Sequence, residues 1–325
     1  MRPLGTEPEA VLESVVLERQ GPRVVAIGGG KGLAQVLQAA CRYAGTIAAV
    51  VTVADDGGSS GRLAPALEIP PPGDIRKCLV ALTPRDSVWR RLFEYRFEES
   101  DVGGHSLGNL IIASLADLEG DFEAALRAAE RLLGSVGSVI PASSQRLRLE
   151  AVIDGETVHG QVNLSLHRGT VEEVRLVPAD ATVSEQAVAA VAGAEQIVLG
   201  PGSLYTSLIA TLLVPGLVDA VNRSEARLVL VANLTTQDGE TLGMDCADHL
   251  ETLLRMTGVR SPGAIVANRT AVDVSPPIEA LRVDADVMAT YGVDVVFADL
   301  VEPLSGPARH DPARLGGVLS RLISK

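Results

Sequence analysis

Apolar residues gather in short runs along the chain, and polar stretches rich in glycine follow several of them. The runs Val24–Ile27, Ile47–Val53, Gln196–Leu199, Arg227–Ala232, Ala264–Ala267 and Val293–Ala298 predict buried strands. A 3.6-residue apolar period at Leu33–Tyr43 and Glu185–Ala192 predicts helices between them. This alternation predicts βαβ units and an α/β fold built on a mostly parallel, Rossmann-like sheet. From about residue 147 to 177 the pattern changes to strict alternation, with turn signals at Asp154-Gly155 and Arg168-Gly169. That segment predicts an antiparallel β meander inserted into the α/β body. Residues 1–22 precede the first strand and read as an N-terminal extension with one short amphipathic helix, "AVLESVVLER". Residues 23–325 then form a single nucleotide-binding domain.

Loops that follow parallel strands emerge on one edge of the sheet, where ligands bind. Four such loops are polar and carry glycine: "GGGKG", "ADDGGSSGRL", "GPGSLYTS" and "NLTTQDGE". In the first, Gly28, Gly29, Gly30 and Gly32 around Lys31 would expose backbone amides at a helix start to an anion. The dinucleotide fingerprint fails there because Leu33 stands in the last glycine's place, and the P-loop pattern fails because Gly32 follows the lysine. A tight turn with close helix–strand packing is the plainer alternative. In the second loop, Asp55 and Asp56 suit a ribose or a Mg²⁺ ion, with Asp56 the candidate metal ligand and both carboxylates the catalytic candidates. Ser59, Ser60 and Arg62 add donors, and an Asp-Gly turn with a solvated cap is the alternative.

Asp74 in "PPGDIRKCL" reads best as a helix N-cap, with Arg76 and Lys77 as local positive charge or solvated surface. "GHSLG" matches the serine-nucleophile pattern, yet the charged segment before it is a poor central strand, so Ser106 reads as a helix cap and Asn109 as a polar group facing the cleft. His105 stays open between structural and catalytic roles. Gly200, Gly202 and Ser203 offer a second phosphate cradle, with Tyr205 and Thr206 as hydroxyl donors. Asn233, Thr236 and Gln237 offer contacts to a base or sugar.

Composition narrows the class. The chain has 325 residues, of which 46% are hydrophobic and only 3% aromatic, which suits a core of Val, Leu, Ile and Ala. A net charge of −13 argues against a nucleic-acid partner and requires local cations to hold an anionic ligand, a part assigned to Lys31 and Arg62. Three scattered cysteines, Cys41, Cys78 and Cys246, suit a reducing compartment better than a disulfide framework or a zinc site. The acidic start resembles no signal peptide and no run is long enough to span a membrane, so the expected location is cytoplasmic.

The segments "GGGKGL", "VTVADDGGSSGRL", "PPGDIRKCLVAL", "GHSLGNL", "LGPGSLYTS" and "NLTTQDGET", with "RHDPARL" near the end, together resemble the gluconeogenesis factor family. That family is related to 2-phospho-L-lactate transferase. The match runs from about Arg23 to the end of the chain. It departs from the family at Lys31, where threonine is usual, at "NLTTQDGE" in place of "NLMTQPGE", and at "GQVN", where a Glu usually follows the Gly. The resemblance implies a three-layer αβα fold and binding of a nucleotide-sugar, UDP-N-acetylglucosamine foremost. It also implies a role in cell shape and cell-wall synthesis on gluconeogenic carbon, with cell-wall synthesis proteins or a Ser/Thr kinase as partners. A homodimer is the oligomer expected for an α/β protein of this size. The transferase relative moves a phospholactate group from a GDP-linked donor onto a deazaflavin with Mg²⁺, the one cofactor in view. Its carboxylate pair would match Asp55 and Asp56, but its Asn-Pro pair is replaced here by Leu204-Tyr205. A phosphotransferase and a nicotinamide dehydrogenase are the two rival readings.

Overall fold

The computed structural model describes residues 20–98, 101–303 and 308–323. The predicted N-terminal helix lies outside the described residues.

Seven strands form one parallel sheet. They are β1 (Arg23–Gly28), β2 (Thr46–Val51), β3 (Ser138–Pro141), β7 (Gln196–Leu199), β8 (Arg227–Val231), β9 (Ala264–Asn268) and β10 (Asp294–Ala298). Their spatial order is β10-β9-β8-β7-β1-β2-β3, with every pairing parallel. The chain therefore runs outward from β1 through β2 to β3, then returns to the other side of β1 and runs outward again through β7. That reversal opens a crevice at the carboxyl ends of β1 and β7, the place where such sheets bind ligands. In β1, Val24 to Gly28 are all buried, as a central strand covered on both faces requires.

Helices cover both faces. Helix α1 (Gly30–Ala40) buries Leu33, Val36, Leu37 and Ala40, one stripe at helical spacing. Between β2 and β3 the chain makes five helices: α2 (Gly58–Leu67), α3 (Pro72–Leu82), α4 (Val88–Glu94), α5 (Leu107–Glu119) and α6 (Phe122–Leu133). Helix α3 is buried almost all round, packed on α1 and near α5, and so acts as a central pillar beside the sheet edge. No single helix among the described residues is long and apolar enough to cross a membrane.

The antiparallel insert lies where the alternation placed it, as β4 (Arg148–Ile153), β5 (Glu156–His159) and β6 (Val171–Val177). Asp154 and Gly155 make the β4–β5 turn with φ of +50° and +82°, the left-handed pair that a two-residue hairpin needs. The order is β5-β4-β6, so β4 is central and β6 returns to its far side. Part of the alternating stretch is helical instead: α7 spans Gln161–Leu166. Gly160, at φ +86°, ends the strand there, and the Asp56 carboxylate accepts from the Val162 amide at 3.0 Å in the helix's first turn. Helix α8 (Glu185–Ala192) then leads into β7.

Candidate functional site

The loops after β1, β7 and β8 form one block. A Cβ on Gly32 would lie 2.0 Å from the Pro201 carbonyl oxygen, so α1 approaches the β7 loop at a distance that only glycine permits. Asn233, just beyond β8, grips Gly202 twice: its Oδ1 accepts from the Gly202 amide at 2.7 Å and its Nδ2 donates to the Gly202 carbonyl at 2.8 Å. Its amide is thus spent on joining two loops. Thr236 is likewise tied to the backbone of Glu279, and the Gln237 amide donates to Thr241.

Both glycine loops already hold internal carboxylates. The Gly30 amide at the start of α1 donates to Asp74 Oδ2 at 2.7 Å, while Lys77 Nζ donates to Asp74 Oδ1 at 2.7 Å. Asp74 was expected to cap its own helix. Instead Pro71 occupies that cap without a side-chain bond, and the carboxylate reaches across to α1 because α3 packs beside it. Gly29 is required there, since a Cβ would meet Asp74 Oδ2 at 2.6 Å. At the second loop Glu240 accepts from Thr206 at 3.0 Å and bonds Ser203 and the Tyr205 amide. Burial raises the pKa of Glu240, and these bonds pull against it. Tyr205 and Thr206 are buried, with the Tyr205 hydroxyl on Met244 and Thr206 on Glu240, so neither hydroxyl offers itself to a ligand. The amides of Lys31 and Gly32, by contrast, have no acceptor among the described residues.

The two adjacent carboxylates diverge. Asp55 turns inward, accepting from the Gly57 amide at 2.9 Å and from Ser60. Burial first, and then the charge of Asp74, raise its pKa, with Lys77 opposing. Asp56 is exposed and holds the insert at Val162. Asp55 and Asp56 therefore cannot share one ion in this arrangement, and Asp74 is already taken by Gly30 and Lys77. No cluster of three metal-ligating side chains exists among the described residues. The residues present do not build a Mg²⁺ site by themselves.

Several predicted contacts are structural ties. Asn109 Nδ2 donates to Ser59 Oγ at 3.0 Å, and the same hydroxyl is hydrogen-bonded to His105 Nδ1 at 2.9 Å. Burial, and then Arg62 and Arg96, lower the His105 pKa. Asn109 Oδ1 accepts from Arg76 at 3.0 Å, so Asn109 faces this buried network and not the cleft. Arg62 donates to the Gly103 carbonyl at 2.8 Å and is committed to that loop. Ser106 caps α5, accepting from the Asn109 amide, and pairs with Arg96 through an isolated bridge. It stands on no strand of the main sheet, which removes the serine-nucleophile reading.

What remains at the switch point is an open cleft of about 310 Å³. Lys31 and Gly32 form one wall, Gly202, Asn233 and Gln237 the floor and far side, and Arg309 and His310 close it from the C-terminal segment. Arg309 and His310 belong to "RHDPARL"; no local pattern marks them as site residues, because they arrive from the far end of the chain. The His310 amide donates to Gln35 on α1 at 3.1 Å. Its ring is buried and bonds the Ala232 carbonyl, and burial pushes its pKa down to about 4. A second cavity of about 390 Å³ separates α2 from the insert, with Asp55, Arg146, Arg148, Glu150 and His159 on its walls.

Comparison with known proteins agrees with this construction. The sequence model described as 2-phospho-L-lactate transferase CofD matches residues 24–301. A protein of Halalkalibacterium halodurans named gluconeogenesis factor is 42% identical over 301 residues, covering 90% of this chain and 94% of that one. A Thermotoga maritima protein named "Putative gluconeogenesis factor" is 40% identical over 315 residues, 92% and 99% of the two chains. The crystal structure of a UPF0052-family member from Bacillus halodurans superposes with a TM-score of 0.88 at 35% identity, covering 93% of this chain and 99% of that one. The parallel sheet, the antiparallel insert and the match to the gluconeogenesis factors over nine-tenths of the chain lead to one conclusion: the chain belongs to the CofD family.

Proposed function

We propose that this protein binds a nucleotide-sugar of the UDP-N-acetylglucosamine type in the cleft at the β1/β7 switch point, and acts as a regulator of carbon flow into the cell wall. The carrying observation is the pairing of the unoccupied Lys31 and Gly32 amides with the Lys31 and Arg309 side chains at one cleft mouth. In a chain of net charge −13 this is where a diphosphate finds donors and positive charge together. Gln237 is placed for the base or sugar, and Asn233 acts by holding the Gly202 loop in position. The cellular side of the reading is a cytoplasmic homodimer that works with cell-wall synthesis proteins or a Ser/Thr kinase on gluconeogenic carbon. Thermal unfolding against UDP, UDP-N-acetylglucosamine, GDP and NAD, each with and without Mg²⁺, tests the binding. A Mg²⁺-independent rise with the uridine ligands supports the reading. No rise with any nucleotide would refute it.

A phosphotransferase is the second reading, favoured by Asp55. This inward carboxylate with a raised pKa lines the cavity between α2 and the insert, which would take the acceptor, while the glycine-loop cleft would take the donor. An acceptor hydroxyl would attack the donor phosphorus, the bond from phosphorus to the nucleotide's leaving phosphate would break, and Asp55 would take the hydroxyl proton. Asp55→Asn should then abolish consumption of a GDP- or UDP-linked donor while leaving nucleotide affinity nearly unchanged.

A further inference from the structure

A third cavity, of about 420 Å³, lies between α1, α3, α4, Glu302 and residues 309–312, and it meets the glycine-loop cleft at Lys31, Gln35, Arg309 and His310. Its charge is inverted relative to the chain. The protein carries 28 Lys and Arg against 41 Asp and Glu, yet seven cations line this cavity against only Glu94 and Glu302. Arg76 and Lys77 come from α3, Arg85 precedes α4, Arg90 lies on it, and Arg96 follows it. Lys31 and Arg309 stand where the two cavities join.

Internal partners do not use up this charge. Lys77 is matched by Asp74 at 2.7 Å and Arg309 by Glu302 at 3.5 Å, while Arg90 reaches Glu94 only at 4.0 Å. Arg76 donates to the Phe93 carbonyl and Arg90 to the Thr83 carbonyl, and Arg96 is fixed by the Gly104 carbonyl. Neutral acceptors orient a guanidinium without neutralising it. Burial lowers the pKa of Arg76, and the neighbouring Arg96 charge adds to it, against Glu94 and Asp74. Such groups repel one another until an anion enters, and oriented guanidiniums suit phosphate oxygens in particular.

We infer that this cavity is an anion site for a small phosphorylated metabolite, one bearing two phosphates or a phosphate and a carboxylate. It is filled alongside the nucleotide cleft, with Lys31 and Arg309 sensing both occupants. The site goes beyond the nucleotide reading and does not depend on it, because the probe is inorganic pyrophosphate.

The test is calorimetric titration of the full chain with pyrophosphate, alone and saturated with UDP, against sodium chloride at equal ionic strength. Binding to both forms is expected. Arg85→Glu with Arg90→Glu should weaken pyrophosphate at least tenfold and change UDP affinity less than twofold. Arg85→Glu alone, on an exposed residue, should weaken pyrophosphate at least threefold and covers the case in which the double variant fails to fold. The inference is overturned if pyrophosphate binds no better than chloride, if Arg85→Glu binds it as tightly as wild type, or if UDP displaces it completely. If UDP fails to bind anywhere, the nucleotide reading falls while the pyrophosphate arm still decides this one.

Discussion

Asp74 offers a perturbation whose effects on stability and on binding have opposite signs. Its side chain is 5% exposed and takes two donors, the Gly30 amide and Lys77, whose own side chain is 34% exposed. In Asp74→Asn the remaining carbonyl still accepts from Gly30, so that bond weakens without vanishing, and Lys77 loses its counter-ion. A hydrogen bond to a charged group is worth about 1.5–3 kcal/mol, and water reclaims part of the loss at Lys77 because a third of it is exposed. The net cost is about 2 kcal/mol, which lowers Tm by about 3 °C in a protein of this size. Burial alone would lower the Lys77 pKa, but the charge and hydrogen bond of Asp74 outweigh it and raise it. The pair's contribution is therefore fully present below the unfolded lysine value of about 10.4 and lost as pH rises beyond it. Ligand binding should move the other way. Removing one negative charge beside the α1 amides relieves repulsion of about 1 kcal/mol on a bound phosphate, or about fivefold tighter UDP binding. Calorimetry and thermal unfolding of the same preparation read both quantities. An unchanged Tm together with weaker UDP binding would refute the reasoning, because it would make Asp74 a ligand contact and not an internal anion.

Other positions give single-sided expectations. Gly32→Ala forces a methyl group against the Pro201 carbonyl and should cost about 3 kcal/mol, read by urea unfolding, with loss of UDP binding in whatever remains folded. Asn233→Ala removes both clamps on Gly202 and should weaken UDP at least tenfold while Tm falls by a few degrees; unchanged affinity would mean that the clamp does not shape the cleft. Burial lowers His249 and His310 to about 4, so the unfolded chain binds their protons first and stability drops as pH falls below about 6.5. Each should cost about 2 kcal/mol at pH 5 relative to pH 8, and His249→Leu should flatten its share of that slope in Tm-against-pH measurements.

The main sheet was legible because buried parallel strands leave continuous apolar runs: Gln196–Leu199 is β7 to the residue. The short β3 was not, since "SVIP" is too brief to separate from its surroundings and owes its place to pairing with β2. The hairpin turn at Asp154-Gly155 was readable from its left-handed chemistry, whereas α7 was not. Its residues alternate like a strand, and only a tertiary bond from Asp56 and the bend at Gly160 show where the strand stops. Site residues divide in the same way. The glycine loops announce themselves because close approach excludes side chains. What the polar residues do depends on partners far along the chain, so Asp74, Asn109 and Asn233 each serve a neighbour that no spacing rule names. His310 reaches Gln35 on α1 across 275 residues.

The missing third glycine has a structural answer that also weighs against the dehydrogenase reading. In a dinucleotide fold that glycine lets the helix pack closely on the strand. Here the position is Leu33, fully buried, and its Cδ1 would lie 3.3 Å from a Cβ placed on Gly200. The space has been made in the opposite loop: Gly200 gives way so that Leu33 can fill the gap between α1 and β7. The carboxylate expected on a ribose is displaced as well, because Asp55 points at Gly73 and Ser60 beside Asp74. A nicotinamide nucleotide would thus find its pyrophosphate turn narrowed by Leu33 and Asp74 and its ribose contact turned away. A ligand held from the Lys31–Arg309 side needs neither the space that Leu33 fills nor the ribose contact of Asp55, and its phosphates meet the Asp74 charge with Lys31 and Arg309 to offset it, so NAD should raise Tm less than UDP at equal concentration.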